Sequence, residues 1–339
     1  MMKTVVIENY GGSEVFAEQE RDIPHISDTQ VLVEMRATTV SSADQLIRTG
    51  AFRHFMPVQF PHVLGVDITG IVVATGSKVT RAQIGDRVIA VSRTGGGYAE
   101  HVAVEECDLA VITQSLSDTE AASVSASGMT AWQALFHYGK LQPGQRILIH
   151  AGAGGVGHIA IQLAKQHGAY VITTARAHNH SFVLQLGADE VIDYTTTDFA
   201  ETLSPVDVVL DMVRDPVVDK VTGIGATELK NYSILKNNGT FISLVNPVIA
   251  TQPLIRGIDA QFALISPNAN DWEAFIQWIQ TNKLDIHVDN VFPFTRQGVA
   301  EAHKYYDTRN KRGKIVIQRD AITDNLSSIV AQETGMSHL

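Results

Sequence analysis

The sequence predicts an α/β protein in which a doubly wound parallel sheet is joined to a second, β-rich domain. Three observations carry this reading. Strand-like runs in the first 118 or so residues are short and broken by Gly, Pro and Asp. From Arg146 onward, apolar strands alternate with helical segments, the pattern of a parallel sheet covered on both faces. A glycine-rich hexapeptide lies between one of those strands and the helix after it. With 339 residues the chain exceeds one ordinary core of about 100–200 residues, so two domains and a cleft between them are expected.

Taken in order, the early strands are Thr4–Glu8, Gln30–Ala37, Ile68–Thr75, Arg87–Ala90 and Glu100–Val104. At Ser117 the pattern turns helical, because a Ser followed three residues later by Glu120 forms a capping box ahead of Ala-rich sequence. The alternating part comprises strands Arg146–Ala151, Tyr170–Ala175, Val191–Tyr194, Asp207–Met212, Thr240–Val245 and Gln261–Ile265. Between the first of these strands lie helices over Gly155–His167 and Ser181–Leu186. Val206-Asp207-Val208-Val209-Leu210 is nearly all apolar, as a strand buried on both faces requires. Trp272, Phe275, Ile276 and Ile279 fall on one face of a helix over 271–282, and Lys314–Gln318 is strand-like again, so the chain returns to the first domain. The tail from Arg319 is polar, with Ile322, Leu326, Ile329 and Val330 at helical spacing.

Composition removes several classes of function. The formal charge of −10 and the lack of a clustered Lys/Arg excess oppose a nucleic-acid partner. The short basic stretch from Arg309 to Lys314 reads as a solvated turn. No apolar run approaches the roughly 20 residues needed to span a bilayer, and neither a span nor a secretory signal is expected. The single cysteine, Cys107, precludes an internal disulfide and a thiolate zinc cage. A buried or half-buried Cys107 in a cytoplasmic protein is expected.

Gly152-Ala153-Gly154-Gly155-Val156-Gly157 satisfies G-x-G-x-x-G directly after a strand and at the mouth of a helix. There, Gly152 allows a tight turn, Gly154 lets the backbone approach a pyrophosphate, and Gly157 lets helix and strand pack closely. About 20 residues on, an acid would hold a ribose 2′-hydroxyl and repel a 2′-phosphate. The stretch Thr173-Thr174-Ala175-Arg176-Ala177-His178 has no acid, and Arg176 can pair with a phosphate. This points to NADPH.

The chain resembles the zinc-independent quinone oxidoreductase (zeta-crystallin-like) branch of the medium-chain dehydrogenase/reductase superfamily. The resemblance runs over about residues 3–318. It rests on Gly144-Gln145-x-x-Leu148 leading into the glycine motif, then Gln162 and Lys165, and Gly187-Ala188-Asp189 before Val191-Ile192-Asp193-Tyr194. Pro61-His62-x-x-Gly65-x-Asp67, Gly85-Asp86-Arg87-Val88, Gly97-x-Ala99-Glu100, Thr130-Ala131-Trp132 and Arg312-Gly313-Lys314-Ile315-Val316 add to it. It implies a Rossmann NADP-binding domain over 122–263 and a GroES-like catalytic domain over 1–121 and 264–339. It further implies a homodimer and hydride transfer to a small electrophilic substrate, a quinone or an α,β-unsaturated carbonyl. By matched motif, Gly155, Val156 and Gly157 hold the pyrophosphate, Tyr194 the adenosine side, Thr130 and Ser41 the nicotinamide region, and Leu244-Val245-Asn246 the ribose–nicotinamide strip.

Where zinc-dependent relatives carry cysteine and a His-Glu pair, this chain has Ser41 and Val66-Asp67, so no metal site is expected. The family's Asn-Pro-x-Asp turn is here Ser41-Ser42-Ala43-Asp44, and its following tyrosines are Leu46 and Phe52. Asp44 reads as a structural carboxylate or a general base. Water, Ser41 or a cofactor ribose hydroxyl are the candidate proton sources. Phe52, Phe55, Met56 and Phe60 suggest an apolar cleft wall, or domain core. The rival reading is an NADPH-binding sensor or structural protein with little turnover.

Overall fold

Two sheets share one long buried helix in the computed structural model, which describes residues 1–54, 56–112, 116–219, 223–253, 255–282, 284–308 and 311–319. The first sheet is six-stranded and wholly parallel. Its spatial order is Glu190–Ile192, Tyr170–Thr174, Arg146–Ile149, Val206–Asp211, Leu235–Ser243, Asp259–Phe262. Alternation along its strands shows why it is covered twice. Ile147, Ile149, Val171, Val208 and Leu210 enter one core, while Leu148, Ile172, Val206 and Val209 enter another on the opposite face. The strand order reverses beside Arg146–Ile149, the place where such sheets open a crevice beyond their carboxyl ends.

The second sheet runs Val288–Pro293, Lys314–Gln318, Gln30–Val40, Asp67–Thr75, Arg87–Val91, Leu109–Val111, with His101–Glu105 also paired to Gln30–Val40. Val31, Val33, Met35 and Ala37 alternate inward along the 11-residue central strand. Ile315 pairs with Val40 and Gln318 with Ala37, so the chain does return to this sheet. A small sheet of Phe16–Arg21, Met2–Ile7 and His62–Val63 completes this part.

Helix Asp118–Trp132 begins where the capping box predicts. Ser117 Oγ accepts the Glu120 amide at 3.2 Å, and Glu120 Oε2 accepts the Ser117 amide at 2.8 Å. Every residue from Ala121 to Ala131 is buried. A Cβ at Gly128 would lie 2.3 Å from Phe275 Cζ, so glycine here admits the ring of helix Ala269–Thr281. The helix after the glycine turn starts at Gly157 instead of Gly155, because residues 150–156 are still turn or bend. No helix among the described residues is long and apolar enough to cross a membrane.

Several expectations change. Cys107 is exposed. Lys314 is no part of a solvated turn: its ammonium is buried against Asp67, which the sequence could not reveal because the partner is 247 residues away. Ile322, Leu326, Ile329, Val330, Arg309 and Phe55 lie outside the described residues.

Candidate dinucleotide and substrate site

The glycine turn is built by close approach. A Cβ at Gly152 would lie 2.0 Å from Thr173 Oγ1 on the neighbouring strand, and one at Gly157 would lie 2.4 Å from the Ala151 carbonyl oxygen. The left-handed residue is not a glycine but Ala151, with φ +51°. A Cβ at Gly154 would meet only the Ala151 carbonyl, at a tight 3.2 Å, so the backbone here is far less hemmed in than at Gly152 or Gly157. The N-cap position of helix Gly157–Gln166 is Val156, which has no side-chain oxygen to cap the first amides. The amides of Gly154, His158, Ile159 and Ala160 already donate to backbone carbonyls, so it is those of Gly155, Val156 and Gly157, without an acceptor among the described residues, that lie at the positive helix end for a pyrophosphate.

Strand ends bring two sequence-picked residues together. Arg176 Nε donates to the Tyr194 hydroxyl at 2.9 Å, and both side chains are exposed. Asp193 lies beneath, accepting the Ala177 amide (3.1 Å) and the Thr195 amide (3.0 Å) and hydroxyl (2.6 Å). These bonds hold its carboxyl below the usual range, the Thr195 hydroxyl contributing most.

The substrate-side residues each have hydrogen-bond partners within the protein. Ser41 Oγ donates to Asp44 Oδ2 at 2.6 Å and caps helix Ser42–Arg48, while Asp44 also accepts the Gly65 amide at 2.8 Å. Burial raises the Asp44 carboxyl, outweighing the Ser41 and Gly65 bonds. Thr130 Oγ1 donates to the Ala126 carbonyl at 2.6 Å, one turn back in its own helix. Neither hydroxyl has its proton free for a substrate. Asn246 is likewise turned inward, its amide nitrogen donating to Glu228 Oε2 (2.9 Å) and the Gly223 carbonyl (3.1 Å). Leu244 and Val245 keep the strip in place through backbone bonds to the Asp211 carbonyl (2.9 Å) and Ser243 Oγ (3.1 Å).

Two residues went unnoticed in the sequence. Arg214 Cζ lies 5.1 Å from the centroid of the Phe52 ring, and its Nη2 donates to the Val245 carbonyl at 3.4 Å, so it ties Phe52 to the Leu244–Asn246 strip. Met56 and Phe60 are exposed, the latter edge-on to Tyr10 at 4.8 Å, so they do not pack the domain core. Asp211 ends the apolar strand Val206–Asp211, fully buried, with Oδ1 accepting the Val213 amide at 3.0 Å and Oδ2 unpartnered among the described residues. An acid closing an apolar run was the available signal.

Burial raises the Asp211 carboxyl to about 7, with Glu228 and Asp215 adding to the effect and the Val213 amide opposing it. The folded chain therefore keeps a proton between about pH 4 and 7 that the unfolded chain has released, and stability falls as pH rises through that window. His150 and His158, each lowered to about 4 by burial, act in the opposite sense up to 6.5. A difference measurement separates them. Between pH 5 and 8, Asp211→Asn is expected to gain about 1–3 kcal/mol of stability relative to wild type, read from urea denaturation. A difference that stays flat with pH would place an ionised carboxylate there throughout.

At the centre of the seam, Asp67 accepts Lys314 Nζ (2.9 Å), Ser125 Oγ (2.6 Å), the Ala126 amide (2.7 Å) and Thr39 Oγ1. Burial alone would raise its carboxyl, but Lys314 and the two hydroxyls outweigh it and hold it below the usual range. This chemistry does not suit zinc. Asp67 is saturated by donors, Ser41 is a cap, Val66 offers no ligand atom, and no group of three His, Cys, Asp or Glu side chains among the described residues could hold a metal.

A zinc-binding dehydrogenase family model matches residues 186–317, and an alcohol dehydrogenase GroES-like domain model matches residues 27–114. The chain is 31% identical over 332 residues to the chloroplast envelope quinone oxidoreductase homolog of Arabidopsis thaliana, covering 94% of this chain and 98% of that one. It is 32% identical over 327 residues to the chloroplastic NADPH-dependent alkenal/one oxidoreductase of the same plant, covering 93% and 79%. The quinone oxidoreductase structure from Coxiella burnetii superposes with a TM-score of 0.79 at 30% identity, covering 94% and 99%. The chain belongs to the quinone oxidoreductase family of medium-chain dehydrogenases/reductases.

Proposed function

We propose that this chain is an NADPH-dependent reductase of quinones or α,β-unsaturated carbonyls that works without a metal. The observation carrying the reading is the uncapped helix end behind an open glycine turn, with Arg176 and Tyr194 joined at the end of the next strands. NADPH, when bound, supplies the hydride, and the protein supplies position and dryness. The turn from Gly152 to Gly157, chiefly the backbone amides of Gly155, Val156 and Gly157, receives the pyrophosphate. Arg176 and Tyr194 face the adenosine end, and the backbone of Leu244, Val245 and Asn246 lies along the nicotinamide strip. Arg214 and Phe52 wall the cleft and limit water near the acceptor. Since Ser41 and Thr130 have committed protons, the product is protonated by water or a cofactor ribose hydroxyl. The same commitment favours the rival, a cofactor-binding sensor or structural protein, if no acceptor is turned over.

Titration of chelator-treated protein with NADPH and NADH, followed by NADPH oxidation across quinones and enones, tests the reading. Selective NADPH binding with rapid oxidation by one acceptor is expected. Tight binding without turnover would leave the sensor role, and binding of neither dinucleotide would overturn both.

The functional unit in this proposal is a homodimer. Strand Asp259–Phe262 ends the parallel sheet with an open edge among the described residues, and Leu264, two residues beyond it, is exposed. Sedimentation at twice the chain mass is expected; a monomer at micromolar concentration would reject it.

A further inference from the structure

Three consecutive residues at the start of the last strand each touch a different part of the proposed cofactor site. Gly313 donates its amide to the Ala153 carbonyl at 2.8 Å, inside the glycine turn. Its φ is +59°, and a Cβ there would lie 2.0 Å from the His287 carbonyl oxygen, so no other residue fits. Lys314 passes the turn on its way to Asp67: its Cδ would stand 2.8 Å from a Cβ at Gly155.

Arg312 points the other way. Its Nε donates to Asn179 Oδ1 at 2.6 Å and its Nη2 to the His178 carbonyl at 2.7 Å. The guanidinium carbon lies 5.6 Å from the Phe182 ring centroid, and the Arg312 amide donates to Asp289 Oδ1 at 3.1 Å. His178 and Asn179 form the short 3-10 turn Ala177–Asn179, which follows directly on Arg176 and has no side-chain cap of its own. What fixes this turn is the Asp193 bond to Ala177, the Asn179 amide bond to the Arg176 carbonyl (2.8 Å), and the two charge-assisted bonds from Arg312.

We infer that Arg312 is a positioning residue for the cofactor's 2′-phosphate: by holding the turn at His178 and Asn179, it sets the backbone from which Arg176 reaches that phosphate. The inference rests on the NADPH reading above. It has a signature that plain stability lacks. NADH shares the pyrophosphate and the nicotinamide but has no 2′-phosphate, so loss of the Arg312 bonds weakens NADPH and spares NADH. The glycine turn keeps its own tie through the Gly313 amide, which the side-chain substitution leaves intact.

The test is the dissociation constant of each dinucleotide, by fluorescence titration of the full chain, for wild type, Arg312→Ala, Arg312→Lys and Asn179→Ala, with kcat at saturating NADPH. Arg312→Ala is expected to raise the NADPH constant about tenfold or more, the loss of two charge-assisted bonds. The NADH constant and kcat are expected to stay within about twofold, as interactions they do not share. Arg312→Lys should recover only part, because an ammonium cannot reproduce two bonds of fixed direction. Asn179→Ala leaves the arginine in place and should show a smaller loss of the same selective kind, which keeps the test open if Arg312→Ala folds poorly. Equal weakening of NADPH and NADH, or no change in either, overturns the assignment. Wild-type protein that binds neither dinucleotide overturns it too, and shows that the underlying reading failed before any variant is compared.

Discussion

Asp67→Ala is expected to destabilise the folded chain by about 3–5 kcal/mol, the cost of leaving a buried charge without its partner. Lys314 is 5% exposed and sits between the glycine turn and the two sheets, and Asp67 is fully buried. Without the carboxylate, the ammonium loses its only described ion pair, and Ser125, Thr39 and the Ala126 amide lose their acceptor. Lys314→Met should cost less, about 1–3 kcal/mol, because Asp67 keeps three donors. The double change Asp67→Asn with Lys314→Met should recover much of the loss, since neither charge is then stranded. Guanidinium denaturation of the four proteins measures the order. Asp67→Ala costing under about 1 kcal/mol would mean that the pair contributes little to joining the sheets.

Gly154→Asp is expected to weaken dinucleotide binding at least about 50-fold while the protein still folds. A Cβ there meets only the Ala151 carbonyl, at a tight 3.2 Å that a shift of a few tenths of an ångström relieves, so most of the damage is electrostatic: a carboxylate placed where the pyrophosphate must lie. NADPH and NADH should suffer alike, in contrast to Arg312. Gly157→Ala is the structural counterpart, because its Cβ would strike backbone at 2.4 Å and lower stability as well as affinity. Binding of Gly154→Asp within about threefold of wild type would move the phosphate site elsewhere.

The parallel sheet was legible because burial on both faces writes itself as apolar runs, as in Val206–Asp211, and because the glycine motif lies where strand meets helix. The capping box at Ser117 was legible for the same local reason. Strands Phe16–Arg21 and Val288–Pro293 were not. They hold the sheets by backbone pairing; Phe16–Arg21 carries mostly polar side chains, and in Val288–Pro293 Asp289 and Asn290 fall side by side ahead of Val291, Phe292 and Pro293, so neither shows a clean alternation for hydrophobic period to find. Partnership was the larger blind spot. Ser41, Asp44 and Thr130 were picked by position in a motif, but where a hydroxyl sends its proton depends on geometry that only the fold supplies. Lys314 and Arg312 looked like a solvated basic stretch because their partners, Asp67, His178 and Asn179, are more than 130 residues distant in sequence.

The most direct test of the central claim is a single turnover of chelator-treated protein with NADPH deuterated at the transferred C4 position and an α,β-unsaturated ketone. The account predicts deuterium at the β-carbon of the saturated product, with the α-carbon proton drawn from solvent. Product formed only after zinc is restored, or deuterium found in water instead of on carbon, would contradict it.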